Sequence, residues 1–313
     1  ETMNNFWSNM STKITQSINV LHFVQMETLL TYTSVSLCGP LFVKFGISGK
    51  DLHKREKPVL PEAMGLVAGV ILCVFIRQPS VLLCTMAGLW IGALDDIIDL
   101  RWRYKIIGSA LAYLPLYQNL TTVVIFGRLI YLGPLYHVYM LLWCIWCGNA
   151  INIHAGINGL EVGQTIVMAL GLLPIVDDTA TLLSYICVAM GLFALNYYPS
   201  MVFVGDSWCY MSGMFFVSIA QHETETLAFF MLPQIVNTLL SLPELTGYCE
   251  CPRHRMPKYD AENDVLVASG KGTLMNIVLK INTNGSDMAR HGPIHGQNGA
   301  LAIKNMLLTF PGL

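Results

Sequence analysis

The chain has 313 residues, 54% of them hydrophobic and only 12% charged, with a mean hydropathy of +0.52. A soluble domain carries about 25% charged residues, so the composition excludes an ordinary water-soluble globule and fits an integral membrane protein. The net charge of −2 is too small to name a partner, and no nucleic acid is expected among them; the distribution of charge matters more than its sum.

In chain order, a weak apolar run over 28–43 is followed by a basic loop over 50–61, and a second run covers 63–76. Arg77-Gln78-Pro79 reads as a tight turn into a span that ends at Leu94, and an acidic and basic stretch follows. Next come 106–117, a polar turn over 118–127, a span over 129–147 and a loop over 148–161. Spans over 162–176 and 179–198 flank a turn at Asp177-Asp178; a loop over 199–206 leads to spans over 208–220 and 227–242. Several runs are shorter than the ~20 residues that cross a bilayer unaided, but flanking Ser, Thr, Gln and Asn complete them inside a bundle. The expected fold is all-α, a polytopic transmembrane bundle of about nine to ten spans. Nine cysteines, many in apolar runs (Cys38, Cys73, Cys84, Cys144, Cys147, Cys187), read as buried thiols, and Cys249-x-Cys251 alone is too little for a zinc site. The first 13 residues are polar with one cation, so no cleavable signal peptide is expected.

The cations test the topology. With alternating spans, the loops at 50–61, 95–105, 148–161, 199–206 and 251–258 share one side, which holds Lys50, Lys54, Arg55, Lys57, Arg101, Arg103, Lys105, Arg253, Arg255 and Lys258. The opposite turns hold Arg77 and Arg128. This bias marks the crowded side as cytosolic. The glycosylation sequon Asn119-Leu120-Thr121 falls on the other side, as a lumenal acceptor must.

Every polar cluster lies on the cytosolic side. Residues 94–105 place three carboxylates, Asp95, Asp96 and Asp99, among three cations, between segments 78–94 and 106–127 that carry no charge. If this stretch is helical, Asp95 and Asp99 share a face with Asp96 beside them. Such crowded acids repel one another unless a cation sits among them; alone, the stretch would also fit a positive-inside loop with incidental acids. Asn149, Asn152, His154, Asn158 and Glu161 end an apolar run; capping explains some of these amides, but three exceed that need and suit a base edge or a metal shell. Asp206 after Gly205 is an N-cap or a ligand. Arg253-His254-Arg255 is a membrane anchor or a phosphate reader, since arginine suits bidentate phosphate recognition. Together they describe a site for a metal on Asp and Asn, a diphosphate on Arg and Lys, and a planar base on Phe and Asn. Hard oxygen ligands point to Mg²⁺, with Mn²⁺ as the alternative. A groove at the cytosolic helix ends meets a soluble nucleotide and a lipid headgroup at once, which suits phosphoryl transfer.

Residues 94–105 (Leu-Asp-Asp-Ile-Ile-Asp-Leu-Arg-Trp-Arg-Tyr-Lys), 149–161, 198–206 (Tyr-Pro-Ser-Met-Val-Phe-Val-Gly-Asp) and 252–257 (Pro-Arg-His-Arg-Met-Pro) closely resemble the eukaryotic UDP-N-acetylglucosamine–dolichyl-phosphate N-acetylglucosamine-1-phosphotransferases. These form a branch of the polyprenyl-phosphate sugar-1-phosphate transferase superfamily, with bacterial MraY-like relatives. The match runs in order from about residue 49 to 258.

The resemblance implies transfer of N-acetylglucosamine 1-phosphate from UDP-GlcNAc to dolichyl phosphate, the first step of lipid-linked oligosaccharide assembly for N-glycosylation, with a cytosol-facing site at the endoplasmic reticulum membrane. By the same resemblance, Asp95 and Asp96 match the acidic pair with a proposed catalytic role, and Asn152 and Asp206 match the Mg²⁺ ligands. Lys105 matches the lysine facing dolichyl phosphate. Ile145, Trp146, Cys147, Gly148, Asn149, Ala150, Ile151, Asn152 and Ile153 match the helix end along which that lipid lies. Asn158 and Phe203 match the groups that hydrogen-bond and stack on uracil, and Arg253, His254 and Arg255 match the reader of the diphosphate and sugar. Lys50, Asp51, Leu52 and Glu62 lie where the first cytosolic loop closes over the nucleotide.

Residues 1–258 are then a transmembrane transferase domain, and 259–313 a polar, truncated or divergent C-terminal region whose Gly292-Pro293-Ile294-His295 is followed by Gly296. Partners are UDP-GlcNAc, dolichyl phosphate, the bilayer and, as one option, a second copy in a homodimer. Alternatives are an inactive paralogue acting as a scaffold, a transferase for another UDP-sugar or polyprenol, and a transporter. The last needs charge at midmembrane, whereas here the charge gathers at one face.

Overall fold

Helix α1 covers 24–44 and leads into a short antiparallel hairpin, β1 (Ser48–Lys50) with β2 (Val59–Pro61), in register Ser48 to Pro61. The computed structural model describes residues 24–52, 54, 56–118 and 121–246, with short pieces at 258–260, 265–267, 277 and 288–290. Helices α2 (Met64–Phe75) and α3 (Pro79–Ile98) follow, separated by the turn that Arg77-Gln78-Pro79 predicts; Pro79 opens α3, where its missing N–H costs nothing. After α4 (Trp102–Leu111), a second hairpin pairs β3 (Thr122–Ile125) with β4 (Arg128–Tyr131). Then come α5 (Leu135–Ile153), α6 (Leu160–Leu172), α7 (Thr179–Asn196), α8 (Gly205–Ile219), α9 (Thr224–Phe230) and α10 (Leu232–Leu245). Three short strands, β5 (Lys258–Asp260), β6 (Val265–Val267) and β7 (Met288–Arg290), form one antiparallel sheet.

The molecule is therefore mostly helical, but the all-α expectation needs correction for these three small sheets. The polar turn expected over 118–127 is half strand, and the span expected from 129 begins as β4. The Thr-Val-Val-Ile run of β3 is β-branched, which favours extended backbone. Phe126 and Gly127 both take positive φ, as a two-residue primed hairpin turn requires. The span expected over 227–242 is also broken, because α9 and α10 meet at 71°. Pro233 lies in the first turn of α10, and in a continuous helix its ring would clash with the carbonyl four residues back.

α3 and α7 are long and apolar enough to cross a membrane singly, and α9 with α10 makes a third candidate if the bent pair is one span. α3 turns Leu83, Trp90 and Leu94 outward, as a helix facing lipid does.

The core is built round α8, whose side chains from Ser207 to Ser218 are all buried. Between helices in lipid the hydrophobic effect adds little, so close backbone approach and interhelical hydrogen bonds carry the packing. Gly92 of α3 lies so near the backbone of Asp206 and Ser207 that any Cβ would collide with it. Tyr185 of α7 stacks on Phe215 at 4.6 Å between centroids and donates its hydroxyl hydrogen to Ser212 at 2.7 Å. Cys84, Cys144, Cys147 and Cys187 are buried free thiols, as their apolar context predicts, while Cys38 and Cys73 are half-buried.

Candidate active site

The site is assembled where α3 and α5 end and α8 begins. Asp96, in the last turn of α3, accepts the backbone N–H of Asp206 on Oδ1 at 2.7 Å and that of Ser207 on Oδ2 at 3.0 Å. It thus satisfies two of the free amides at the N-terminus of α8 and places a negative charge at the positive end of its dipole. Gly205 permits this approach: its φ is +72°, and a Cβ there would lie 2.5 Å from Asp96 Oδ2.

Asp95 faces a different partner. It forms an ion pair with Lys105 and accepts the Leu100 N–H at 2.8 Å. Lys105 Nζ also lies 3.7 Å from Asp206 Oδ2, and that oxygen accepts Nδ2–H of Asn152 at 2.7 Å. One ammonium therefore bridges two carboxylates from α3 and α8, and an amide from α5 donates to the second of them. Asn149, one turn before Asn152, is held by Tyr210, whose hydroxyl donates to Asn149 Oδ1 at 2.6 Å.

Two expectations about these segments change. α5 runs on to Ile153, so Asn149 and Asn152 stand on a helix and not in a loop starting at Gly148. Asp99 does not share the face of Asp95: it takes a left-handed conformation with φ 49°, and its N–H closes onto the Asp95 carbonyl. Asp tolerates that conformation because a short polar side chain can bond locally.

A fit for a divalent cation rests on this donor set. Among the described residues no three acidic, His or Cys groups gather as an all-protein cage. Asp206 Oδ2 and the Asn152 amide, whose oxygen and nitrogen exchange by a flip, make a two-ligand platform. That suits Mg²⁺, which keeps several waters and binds through one or two protein groups plus substrate phosphates.

A second group of residues lines the adjoining rim. Phe203 N–H donates to the Pro61 carbonyl at 2.8 Å and Met64 N–H to the Phe203 carbonyl at 3.1 Å, so the entry to α8 is stitched to the end of β2. Gly49 packs against both Phe203 and Glu62. Burial raises the Glu62 carboxyl above its ordinary value. Asn158 donates from Nδ2 to Asp51 Oδ2 at 3.0 Å. Lys50 and Leu52 are exposed beside that pair.

The expected lipid-facing stretch divides by helical phase. Ile145, Trp146, Asn149, Asn152 and Ile153 form one half-buried face, whereas Cys147, Gly148, Ala150 and Ile151 are buried in packing against the rest of the bundle. His154 follows the helix, turned inward, and burial pushes its imidazole down to about 4. Glu161, in the first turn of α6, accepts the Gly156 N–H at 2.7 Å. Arg253, His254 and Arg255 lie outside the described residues, as does Asn119.

Sequence reasoning missed three positioning residues. Asn196 ends α7, accepts the Gly159 N–H at 3.1 Å and donates to the Val202 carbonyl at 2.9 Å, tying the loop of Asn158 to that of Phe203. An amide closing an apolar helix just before Tyr-Tyr-Pro was the available signal. Lys54 and Ser200 meet in space but lie 146 residues apart, and nothing local announces the pair.

The family model described as glycosyl transferase family 4 matches residues 78–222, which contain Asp95, Asp96, Lys105, Asn152 and Asp206. The chain is 36% identical to UDP-N-acetylglucosamine–dolichyl-phosphate N-acetylglucosaminephosphotransferase of Schizosaccharomyces pombe, across 73% of this chain and 68% of the relative. It is 33% identical to the enzyme of the same name from Dictyostelium discoideum, across 81% of this chain and 79% of the relative. The Saccharomyces cerevisiae enzyme of that name is also 33% identical, across 77% and 70%. With the acidic pair, the lysine bridge and the Asn152–Asp206 contact inside the matched region, the chain belongs to glycosyl transferase family 4, in the group of the UDP-N-acetylglucosamine–dolichyl-phosphate N-acetylglucosaminephosphotransferases.

Proposed function

We propose that the protein transfers N-acetylglucosamine 1-phosphate from UDP-GlcNAc to dolichyl phosphate, releasing UMP and forming GlcNAc-PP-dolichol. The observation that carries this reading is the position of Lys105, a single ammonium shared by Asp95 and Asp206 at the rim where apolar helices end. The names of the relatives supply the substrates. In the reaction an oxygen of dolichyl phosphate attacks the β-phosphorus, and the bond from that phosphorus to the bridging oxygen of UMP breaks. Dolichyl phosphate is ionised near neutral pH, so positioning and charge neutralisation matter more than proton removal.

Lys105 provides a cation for the phosphate of the incoming lipid, whose chain follows the face of Ile145, Trp146, Asn149 and Ile153. Asp95 holds that lysine at the rim, and Asp96 fixes the start of α8 so that Asp206 points into the site. Asp206 and Asn152 would hold Mg²⁺ or Mn²⁺, which supplies positive charge for the diphosphate when bound. Asn158 and Phe203 orient the uracil, and Arg253, His254 and Arg255 read the diphosphate and sugar. Positive groups aimed at the transferred phosphate stabilise charge that grows in the transition state. In this reading the chain makes nine to ten spans in the endoplasmic reticulum membrane, with its groove facing the cytosol.

The test is an assay of the purified protein with labelled UDP-GlcNAc and dolichyl phosphate, followed by lipid extraction. Labelled lipid and UMP in equal amounts, dependent on Mg²⁺, are expected. No lipid product from intact, folded protein would sink the proposal.

A further inference from the structure

The β3–β4 hairpin stands at the end of the bundle remote from the site. α5 leaves it at Leu135 and carries Asn152 near its other end, 19 residues in all, or about 28 Å at a rise of ~1.5 Å per residue. The hydrocarbon layer of a bilayer is about 30 Å thick, so the hairpin falls at the level of the far headgroups. The N–H groups of Leu132 and Gly133 close its base by donating to the Thr121 carbonyl at 2.7 and 3.0 Å. At its tip the Gly127 N–H donates to Glu225 Oε2 at 3.3 Å.

The register divides the hairpin into two faces, because directly paired residues point the same way. Val123 with Ile130 and Ile125 with Arg128 form one face, on which Val123 is buried in the core and Ile125 packs against it. Thr122 with Tyr131 and Val124 with Leu129 form the other. There Leu129 is 73% and Tyr131 75% exposed, and Phe126 at the turn is 90% exposed. The turn itself does not account for the phenylalanine. Phe126 has φ 51°, a conformation that strains a bulky residue and for which Asn or Asp before Gly is the favoured choice. An aromatic ring is thus held at the outermost point of the hairpin against the preference of its own backbone.

What covers this face follows from where it lies. It runs into the outward stripe of α5, where Leu135, Val138 and Leu142 stand at i, i+3 and i+7 and are all exposed. No Asp, Glu, Lys or Arg stands between Leu129 and Leu142, so the apolar surface passes from helix to hairpin without a charged break. Two strands alone leave backbone groups unpaired along their outer edges, which hydrocarbon does not satisfy. The headgroup layer does satisfy them, and Tyr131 and the exposed Arg128 suit that level.

We infer that the β3–β4 hairpin is a membrane-surface anchor: Phe126, Leu129 and Tyr131 insert into the boundary between headgroups and acyl chains of the leaflet opposite the active site. The partner is the lipid surface itself, not a second copy of the chain. The inference rests on the reading of the chain as a bilayer-spanning bundle with α5 among its spans, and not on the reaction proposed for it.

The experiment places a nitroxide at Leu129→Cys in the full chain, in phosphatidylcholine nanodiscs holding one chain each. Collision with oxygen, which concentrates in lipid, and with a water-soluble nickel chelate reads its surroundings, after subtraction of the labelled parent. Val138→Cys gives the lipid reference and Glu56→Cys the water reference, since both positions are exposed. The label at 129 should be shielded from nickel and lie about 5–10 Å below the phosphates, the depth that an amphipathic surface element reaches. In the background Phe126→Asn, Tyr131→Ser, where Asn suits the turn, it should rise to the phosphate level while its spectrum remains that of an ordered strand. Nickel access at 129 equal to that at 56, with 138 in lipid, overturns the inference alone. Shielding from both reagents also overturns it, because protein and not lipid would then cover the face. Water exposure in single-chain discs that becomes shielding in two-chain discs does the same, as the mark of an interface between copies. An unchanged depth in the stripped background shows that these side chains do not carry the contact, and again overturns it. Nickel access at 138 overturns the reading of α5 as a span, and the inference with it.

Discussion

Asp96 and Asp206 stand 110 residues apart in sequence, yet the carboxylate of the first accepts the backbone N–H of the second at 2.7 Å. The end of one helix thereby caps the start of another, and the backbone of Asp206 is held in place by the Asp96 carboxylate. The acidic pair of α3 divides its work in the same way, since Asp95 turns to Lys105 while Asp96 turns to α8.

This division predicts different consequences for substitutions at neighbouring positions. Asp96→Ala removes an N-cap, a loss of about 1–2 kcal/mol, and should lower the unfolding midpoint and turnover together. Asp96→Asn keeps one acceptor oxygen and should lose less of both. Unfolding in detergent and steady-state turnover, measured on the same preparations, check whether the two quantities move in parallel. Full stability with abolished turnover in Asp96→Ala would assign Asp96 to the chemistry instead of the cap.

Gly205 should tolerate nothing larger. An alanine there must adopt φ near +72° and place its Cβ 2.5 Å from Asp96 Oδ2. The backbone strain alone is of order 1–3 kcal/mol, and the clash breaks the cap as well. Gly205→Ala should therefore be at least as destabilised as Asp96→Ala, and combining the two should cost less than their sum, because both act on one contact. Additive losses would separate the glycine from the cap.

Much of the site was legible because charge is scarce in this chain. Asp95, Asp96, Lys105, Asn152 and Asp206 stand out against uncharged flanks, and the structure brings all five together. The path of the backbone between them was less legible. Gly148 reads as a helix end, but it lies inside α5, where Met214, Ser109 and Tyr210 leave no room for a side chain. Asp99 fits a helical face by spacing, but the helix ends at it. The hairpin of β3 and β4 hid inside a run scored as a turn and a span, because hydropathy does not distinguish a strand from a short helix. Partners such as Lys54 and Ser200 are set by tertiary contact and leave no local trace.

Glu62 gives a pH prediction. Burial raises its carboxyl above the ordinary 4.5, so the folded state holds its proton to higher pH than the unfolded state does. Below the unfolded value both states are protonated, and the group is neutral in its effect. As pH rises through the folded value, the folded protein loses stability relative to the unfolded chain. Glu62→Gln removes this penalty and should raise the unfolding midpoint at pH 7 relative to the parent, with the gap closing towards pH 4. A gap that persists at pH 4 would show that the substitution acts through packing, not through titration.

Lys105 offers the sharpest separation of binding from turnover. Its ammonium lies between Asp95 and Asp206, where a divalent cation held by Asp206 and Asn152 would compete with it for the same negative charge. Removing that ammonium leaves two carboxylates to attract a cation, and at short range in a partly buried site the released interaction is on the order of 1–2 kcal/mol after screening. Lys105→Met should therefore bind Mn²⁺ about tenfold more tightly, read by paramagnetic resonance of free Mn²⁺, while turnover falls by 100-fold or more because, on the proposed reading, the lipid phosphate loses its cation. Asp206→Ala should lose both Mn²⁺ affinity and turnover. The opposite signs of the two metal effects are the test, since a general unfolding of the site would weaken Mn²⁺ binding in both variants. Weaker Mn²⁺ binding in a folded Lys105→Met protein would mean that the lysine and the metal do not share Asp206, and the two-ligand platform would have to be placed elsewhere.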